Sequence, residues 1–319
     1  MCHGNSALEW NVAKDFPVEE LLEQDKIPSV HIKFNLPVSC PEIPWSDLED
    51  VLDRRTKKPK ILGSGSFGIV KLMKHQSSGK LCAVKINKDD IEEPTVIENL
   101  QLEVGVLTRL KHLDCVPELF GVTIPGNNSQ VPVMVQEFIG DPKTFRSTML
   151  AIAIEAKVLP PLKAKRVALR ICEALRDIHS AKLLHCDLKN DNIMLEPGFV
   201  RKDNPKVKII DFGKAVKMDD KPRYQYNARD QMSWIMKCCS HLAPEVVRGE
   251  KPYNVSSEVY GLGVVLKDLS KHFRGFLWQL GEECTDADYR KRPSVEDVIH
   301  KIKSHLTSIQ GAASQLAAP

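Results

Sequence analysis

His185-Cys186-Asp187-Leu188-Lys189-Asn190-Asp191-Asn192 decides the reading of this chain, together with Asp211-Phe212-Gly213 further on. Between the two lie Ile193-Met194-Leu195 and Val207-Lys208-Ile209-Ile210, apolar runs that predict short paired strands around a turn. The polar residues therefore sit on loops held by rigid strands. A carboxylate at Asp187, an ammonium at Lys189, an amide at Asn192 and a second carboxylate at Asp211 suit one task. A hard cation such as Mg²⁺ takes carboxylate and amide oxygens, and an ammonium offsets phosphate charge. The set is suited to moving a phosphoryl group.

These residues carry a resemblance. The chain is similar to a eukaryotic protein kinase, whose pattern is a His-x-Asp-Leu-Lys-x-x-Asn loop followed by Asp-Phe-Gly. By that resemblance Asp187 is the base that takes the proton of a substrate hydroxyl, and Asn192 and Asp211 hold the metals. Lys189 resembles the serine/threonine-specific form of the loop, where it meets the transferring phosphate. The implied cofactors are ATP and Mg²⁺, and the implied partner is a protein substrate.

With 319 residues the chain is long enough for one large domain or two lobes. Hydrophobic residues at 42% and charged residues at 27% are ordinary for a globular protein. A formal charge of +3 is too small to argue for nucleic acid or an acidic membrane. No apolar run has the length of a membrane span, and Met1 to Trp10 lack the regions of a signal peptide, so the expected address is cytoplasmic or nuclear. Nine scattered cysteines, with Cys238-Cys239 the one close pair, predict reduced thiols. Asn-x-Ser at Asn127 and Asn254 is read as chance.

From Lys60 the pattern sharpens. Ile61-Leu62 lead into Gly63-Ser64-Gly65-Ser66-Phe67-Gly68 and then Ile69-Val70-Lys71-Leu72-Met73, a strand, a glycine turn and a strand. Glycines let backbone N–H groups approach phosphates without side-chain obstruction. In a dinucleotide-binding domain a helix would follow the third glycine; the β-branched strand found here favours a kinase flap. Leu81-Cys82-Ala83-Val84-Lys85-Ile86 is a further strand, apolar except for Lys85, which needs a partner if buried. Thr95 to Lys111 places Leu100, Glu103, Leu107 and Leu110 on one helical face. Glu103, the charge on that stripe, is therefore preferred over Glu98 as the partner of Lys85. The resemblance implies that Lys85 holds the α and β phosphates and that the nucleotide lies under Gly63 to Gly68, against Val70 and Ala83. It also implies a hinge at Glu137 to Gly140, with Glu137 and Ile139 at the adenine and Gln136 guarding the back pocket.

Leu119 to Ile124 and Val131 to Phe138 complete five strands and one helix, a small lobe at about 59–138. A larger, mainly helical lobe at about 141–309 follows. Within it Leu162 to Ala181, Glu258 to Leu269 and the run from Val295 to Leu306 show helical spacing. The expected class is α+β, a bilobal protein-kinase-like fold at 59–309, with an N-terminal extension at 1–58 and a tail at 310–319. In the extension a short helix is expected at Ser46 to Arg54, with Ser46 as cap and Glu49 three residues on. The tail is expected to fray from Gln310.

Ala243-Pro244-Glu245 matches the family's activation-segment end, and Arg292 resembles the arginine that pairs with Glu245. Other positions depart from the pattern. Cys186 stands where regulated kinases carry an arginine that binds a phosphorylated residue, so activity is expected to depend weakly on phosphorylation at Tyr224, Tyr226, Ser233 or Ser240. His241 replaces a tyrosine, Glu258 replaces an aspartate, and Leu269 to Thr285 has room for one helix where the family fits two. The expected function is ATP-dependent transfer of a γ-phosphate to serine or threonine hydroxyls of proteins. A pseudokinase scaffold, binding nucleotide or partners without efficient transfer, is the alternative, and a kinase for lipids or small molecules is a second rival. Oligomeric state stays open.

Overall fold

The computed structural model describes residues 34–37, 39–65, 68–87, 94–125, 131–218 and 239–316. They fall into two compact units, one running to His112 and including Pro117–Phe138, the other made of Leu113–Val116 and the chain from Ile139. The first is an antiparallel sheet with one long helix and the second is mainly helical, which is the α+β, two-lobed class the motifs imply.

In the first unit β1 (Leu48–Asp50), β2 (Ile61–Gly65), β3 (Gly68–His75), β4 (Leu81–Asn87), β5 (Leu119–Thr123) and β6 (Val133–Glu137) form one sheet. Strands β1 and β2 pair with successive parts of β3, and the sheet continues through β4 and β6 to β5. Apolar residues on one face of each strand, among them Met73, Cys82, Val84, Val133 and Val135, make a buried cluster. Helix α1 (Pro94–Arg109) buries Leu102, Val106 and Leu107.

Ser46 to Arg54 is not the expected helix. Trp45–Asp47 is a single tight turn with no side-chain cap, and the chain then becomes β1. An edge strand on β3 satisfies the backbone and buries Leu48 against Ile43, Met73 and Val84, a gain that one isolated helical turn cannot match. Residues before it are also tied down. Phe34 and Leu36 are buried, Gln101 Nε2 on α1 donates to the Phe34 carbonyl at 2.7 Å, and the Ile43 N–H donates to the Val122 carbonyl at 2.8 Å. Gly121 is required where this segment crosses β5: its φ is +156°, and a Cβ there would lie 2.3 Å from the Pro41 carbonyl oxygen.

The second unit opens with β7 (Thr148–Met149), α2 (Leu150–Glu155) and the core helix α3 (Pro161–Ser180). Proline at the start of α3 wastes no N–H, and Val167, Ala168, Ile171, Leu175 and Ile178 are fully or almost fully buried. Four short strands follow: β8 (Leu183–Leu184), β9 (Ile193–Leu195), β10 (Val207–Ile209) and β11 (Val216–Lys217). β9 pairs with β10 and β8 with β11, so the two motif loops are the connections between two small ladders. Helices α4 (Pro244–Val247), α5 (Val255–Ser270), α6 (Phe276–Cys284) and α7 (Val295–Leu316) complete the unit. Asn254 caps α5, its side-chain oxygen accepting from the Ser256 and Ser257 N–H groups. The single helix α6 packs closely on α5, since a Cβ on Gly281 would come 2.8 Å from the Gly263 carbonyl oxygen. Helix α7 runs past Gln310 to Leu316 rather than fraying there, because Ala312 and Ala313 favour helix intrinsically.

Candidate active site

In the first unit Lys85 lies on β4, opposite Val70 of β3 and Met134 of β6. Its Nζ is 3.0 Å from Glu103 Oε2, which α1 turns toward the sheet along with its apolar stripe. The Glu103 side chain is 5% exposed and that of Lys85 is 31% exposed. The carboxylate is shut in while the ammonium keeps an accessible side, the arrangement needed to meet a second anion. Gly63, Ser64 and Gly65 end β2 and Gly68 opens β3, whereas Ser66 and Phe67 lie outside the described residues. A Cβ on Gly63 would meet nothing within 4 Å, so packing does not dictate the glycine. Ala83 is buried on β4 opposite Gln136, and Glu137 Oε2 accepts from the Glu118 N–H at 3.1 Å. Ile139, also buried, begins the second unit's main run.

In the second unit the loop after β8 is fixed from several sides. His185 is fully buried; its Nε2–H donates to the Ile210 carbonyl at 2.9 Å and its Nδ1 accepts from the Asp187 N–H at 3.2 Å, tying the two motif loops together. Its ring packs on Phe212, with centroids 4.8 Å apart. Glu258 on α5 accepts from the Cys186 N–H at 2.7 Å and meets His179 Nε2 at 2.7 Å through its other oxygen. Burial pushes the Glu258 carboxyl up, but the bond and charge of His179 outweigh it and hold it below its ordinary range. The anchoring offsets strain: Cys186 has φ +62° and Asp211 has φ +66°, left-handed backbone that costs a non-glycine residue about 1–2 kcal/mol.

The Asp187 carboxylate receives four donors. Lys189 Nζ at 2.8 Å and Asn192 Nδ2 at 3.2 Å reach Oδ2, while His241 Nε2 at 2.9 Å and Lys214 Nζ at 3.1 Å reach Oδ1. Burial favours protonation of Asp187, but the bonds from His241 and Lys189 and the charge of Lys214 more than offset it, so the carboxyl is held well below the usual carboxylate range. It is ionised throughout the physiological range, an orienting acceptor rather than a strong base. Asn192 also donates to the Asp187 carbonyl at 2.9 Å, which leaves its side-chain oxygen as the acceptor for a cation. Asp211 is exposed. One amide and one carboxylate fit Mg²⁺, which keeps waters and borrows phosphate oxygens instead of needing an all-protein cage. Among the described residues no group of three or more His, Cys, Asp or Glu could hold a metal by itself.

A family model described as a protein kinase domain matches residues 56–308. The chain belongs to the protein kinase family. It is 31% identical to serine/threonine-protein kinase D3 of Homo sapiens over 213 residues, 65% of this chain and 21% of that protein. It is 27% identical to the probable serine/threonine-protein kinase PknB of Corynebacterium glutamicum over 220 residues, 69% of this chain and 32% of that protein. To the serine/threonine kinase NLK of Caenorhabditis elegans it is 25% identical over 267 residues, 82% of this chain and 38% of that protein. The chain thus spans well under half the length of these relatives.

Within this kinase domain Glu245 and Arg292 form a bidentate pair, 2.7 and 2.8 Å, with side chains 4% and 0% exposed. Cys186 sits in an apolar cluster with Leu184 and Val216, against Met218 and Tyr253, so no cation occupies that position. His241 and Lys214 on Asp187 were not anticipated. The signals were the histidine at the tyrosine position and the cation directly after Asp-Phe-Gly. Tyr224, Tyr226, Ser233 and Cys238 lie outside the described residues. Among the described residues no helix is long and apolar enough to cross a membrane.

Proposed function

We propose that this kinase domain transfers the γ-phosphate of ATP to serine or threonine hydroxyls of protein substrates. The observation that carries the reading is the buried Asp187 carboxylate, bridged to Lys189 and Asn192 on one loop. ATP with Mg²⁺ supplies the transferable phosphoryl group and the charge that draws its oxygens into place. Lys85, its Nζ fixed by Glu103, holds phosphate oxygens. Gly63, Gly65 and Gly68 put no side chain between the backbone and other phosphate oxygens. Asn192 and Asp211 offer the metal their side-chain oxygens. Asp187 accepts a hydrogen bond from the substrate hydroxyl, aims its oxygen and receives the proton as the oxygen attacks. Lys189 offsets negative charge beside it. Most of the acceleration comes from position and fixed charge. Lys189 and the likeness to serine/threonine-protein kinases support the hydroxyl preference. The free thiols of Cys40, Cys82, Cys172 and Cys284, all buried, fit a reducing compartment such as the cytoplasm or nucleus.

The test is incubation of the purified chain with γ-labelled ATP, Mg²⁺ and a generic protein substrate, beside Lys85→Met and Asp187→Asn. Transfer is expected, reduced about a hundredfold or more in each variant, with phosphoserine or phosphothreonine in the hydrolysate. Equal label from all three proteins would leave the scaffold reading in its place.

A further inference from the structure

We propose that His241, assisted by Lys214, is a positioning residue for Asp187, pinning Oδ1 so that Oδ2 is the oxygen offered to the substrate hydroxyl. The inference rests on the kinase reading above and adds two residues to it. An aspartate carboxylate turns easily, since its last side-chain torsion is broad and roughly two-fold. Catalysis needs that turning stopped, because a misplacement of about 1 Å can cost about a hundredfold in rate. Two donors on the same oxygen, His241 Nε2 at 2.9 Å and Lys214 Nζ at 3.1 Å, stop it.

Occupancy of the carboxylate says which oxygen is left for substrate. A carboxylate has roughly four acceptor sites, and Lys189, Asn192, His241 and Lys214 fill them. A hydroxyl can enter only by taking one donor's place. Asn192 is buried and also bound to the Asp187 carbonyl, and the His241 side chain is 10% exposed. The side chains of Lys189 and Lys214 are 32% and 38% exposed, so exposure alone does not choose between them; the phosphate charge that Lys189 offsets in the reading above is what would draw it off Oδ2. The hydroxyl therefore succeeds Lys189 on Oδ2 while His241 keeps Oδ1. His241 meets Oδ1 through Nε2, the ring nitrogen 2.9 Å away.

Chain order supplies an independent reason. Lys214 directly follows Asp211-Phe212-Gly213, and His241 lies just before Ala243-Pro244-Glu245. The described ends of the segment between those motifs thus close on one carboxylate. Cys186, the neighbour of Asp187, packs among apolar side chains and brings no charge. The cations beside Asp187 are Lys189 on its own loop and Lys214 at the start of that segment.

His241→Phe keeps a ring and removes the donor; His241→Gln keeps an N–H at similar reach. In steady-state kinetics His241→Phe is expected to lower kcat about a hundredfold while KM for ATP and protein stays within about twofold. His241→Gln restores most of the loss, and Lys214→Met falls between. Unchanged kcat in His241→Phe overturns the proposal. A double-mutant cycle reads the same contact without turnover. His241→Phe is expected to lower the melting temperature of the wild-type chain by about 2–4 °C and that of Asp187→Asn by less than half as much. Equal shifts in both backgrounds also overturn it. Coupling in a chain that transfers no phosphate keeps the contact and sinks the kinase reading instead. Should His241→Phe not fold, Lys214→Met, on a half-exposed side chain, carries both readouts.

Discussion

Two ion pairs, each a cation on a buried glutamate and one in each unit, differ in how far they are closed off. Glu245 and Arg292 are closed at both ends, with side chains 4% and 0% exposed, and Arg292 also donates to the Ser256 and Asp286 carbonyls. One face of that guanidinium lies against the Tyr260 ring, 4.9 Å from its centroid. Lys85 and Glu103 are closed at one end: the carboxylate is 5% exposed and the ammonium 31%. The first arrangement can only hold structure. The second keeps a cation in place and leaves part of it available to an anion. In the function proposed above, what separates a structural pair from a working one is the exposure of the cation, not the distance across the pair.

The contrast can be broken in order of effect. Arg292→Met strands a buried carboxylate and is expected to cost about 3–5 kcal/mol, read as a melting temperature lower by about 10 °C. A shift of only a degree or two would place this pair with the working one. Glu103→Gln leaves Lys85 able to hydrate, so stability is expected to change by about 1 kcal/mol or less, while phosphoryl transfer falls about tenfold to a hundredfold as Lys85 loses its position. A large loss of stability with transfer intact would reverse the assignment. Glu118→Gln is the baseline. Its pair with Lys80, 3.3 Å long, has side chains 61% and 55% exposed, and melts are expected to move by no more than about 1 kcal/mol equivalent.

The ease with which each part could be read from sequence follows the same physical lines. Helices α1, α3 and α5 were legible within a few residues because burial of one face forces a repeating apolar stripe. Glu103 was legible because a charge interrupts such a stripe. Residues 46–54 misled because a serine cap and a glutamate three positions on are local signals, whereas β1 is stabilised by pairing with β3, distant in sequence. Glu258 in place of an aspartate left open whether the longer acid could anchor the loop; its two 2.7 Å contacts show that α5 and α3 make room for it. Nothing local marks Gly121 as the crossing point of residues 41–43, since the obstruction is a carbonyl from another part of the chain.

By itself, the sequence determined the kinase motifs, their order, the glycine-rich stretch and the division into a strand-rich and a helix-rich half, and it named the groups proposed to handle phosphate. These depend on residue type and short spacing, which chemistry and helical or strand period make readable. Only the tertiary structure decided that His241 and Lys214 share one oxygen of Asp187, that Glu258 reaches the Cys186 N–H, and that Leu48–Asp50 join the sheet. Those are contacts between groups far apart along the chain. They exist because folding brings buried charges to whichever partners can satisfy them, and no local pattern records the choice.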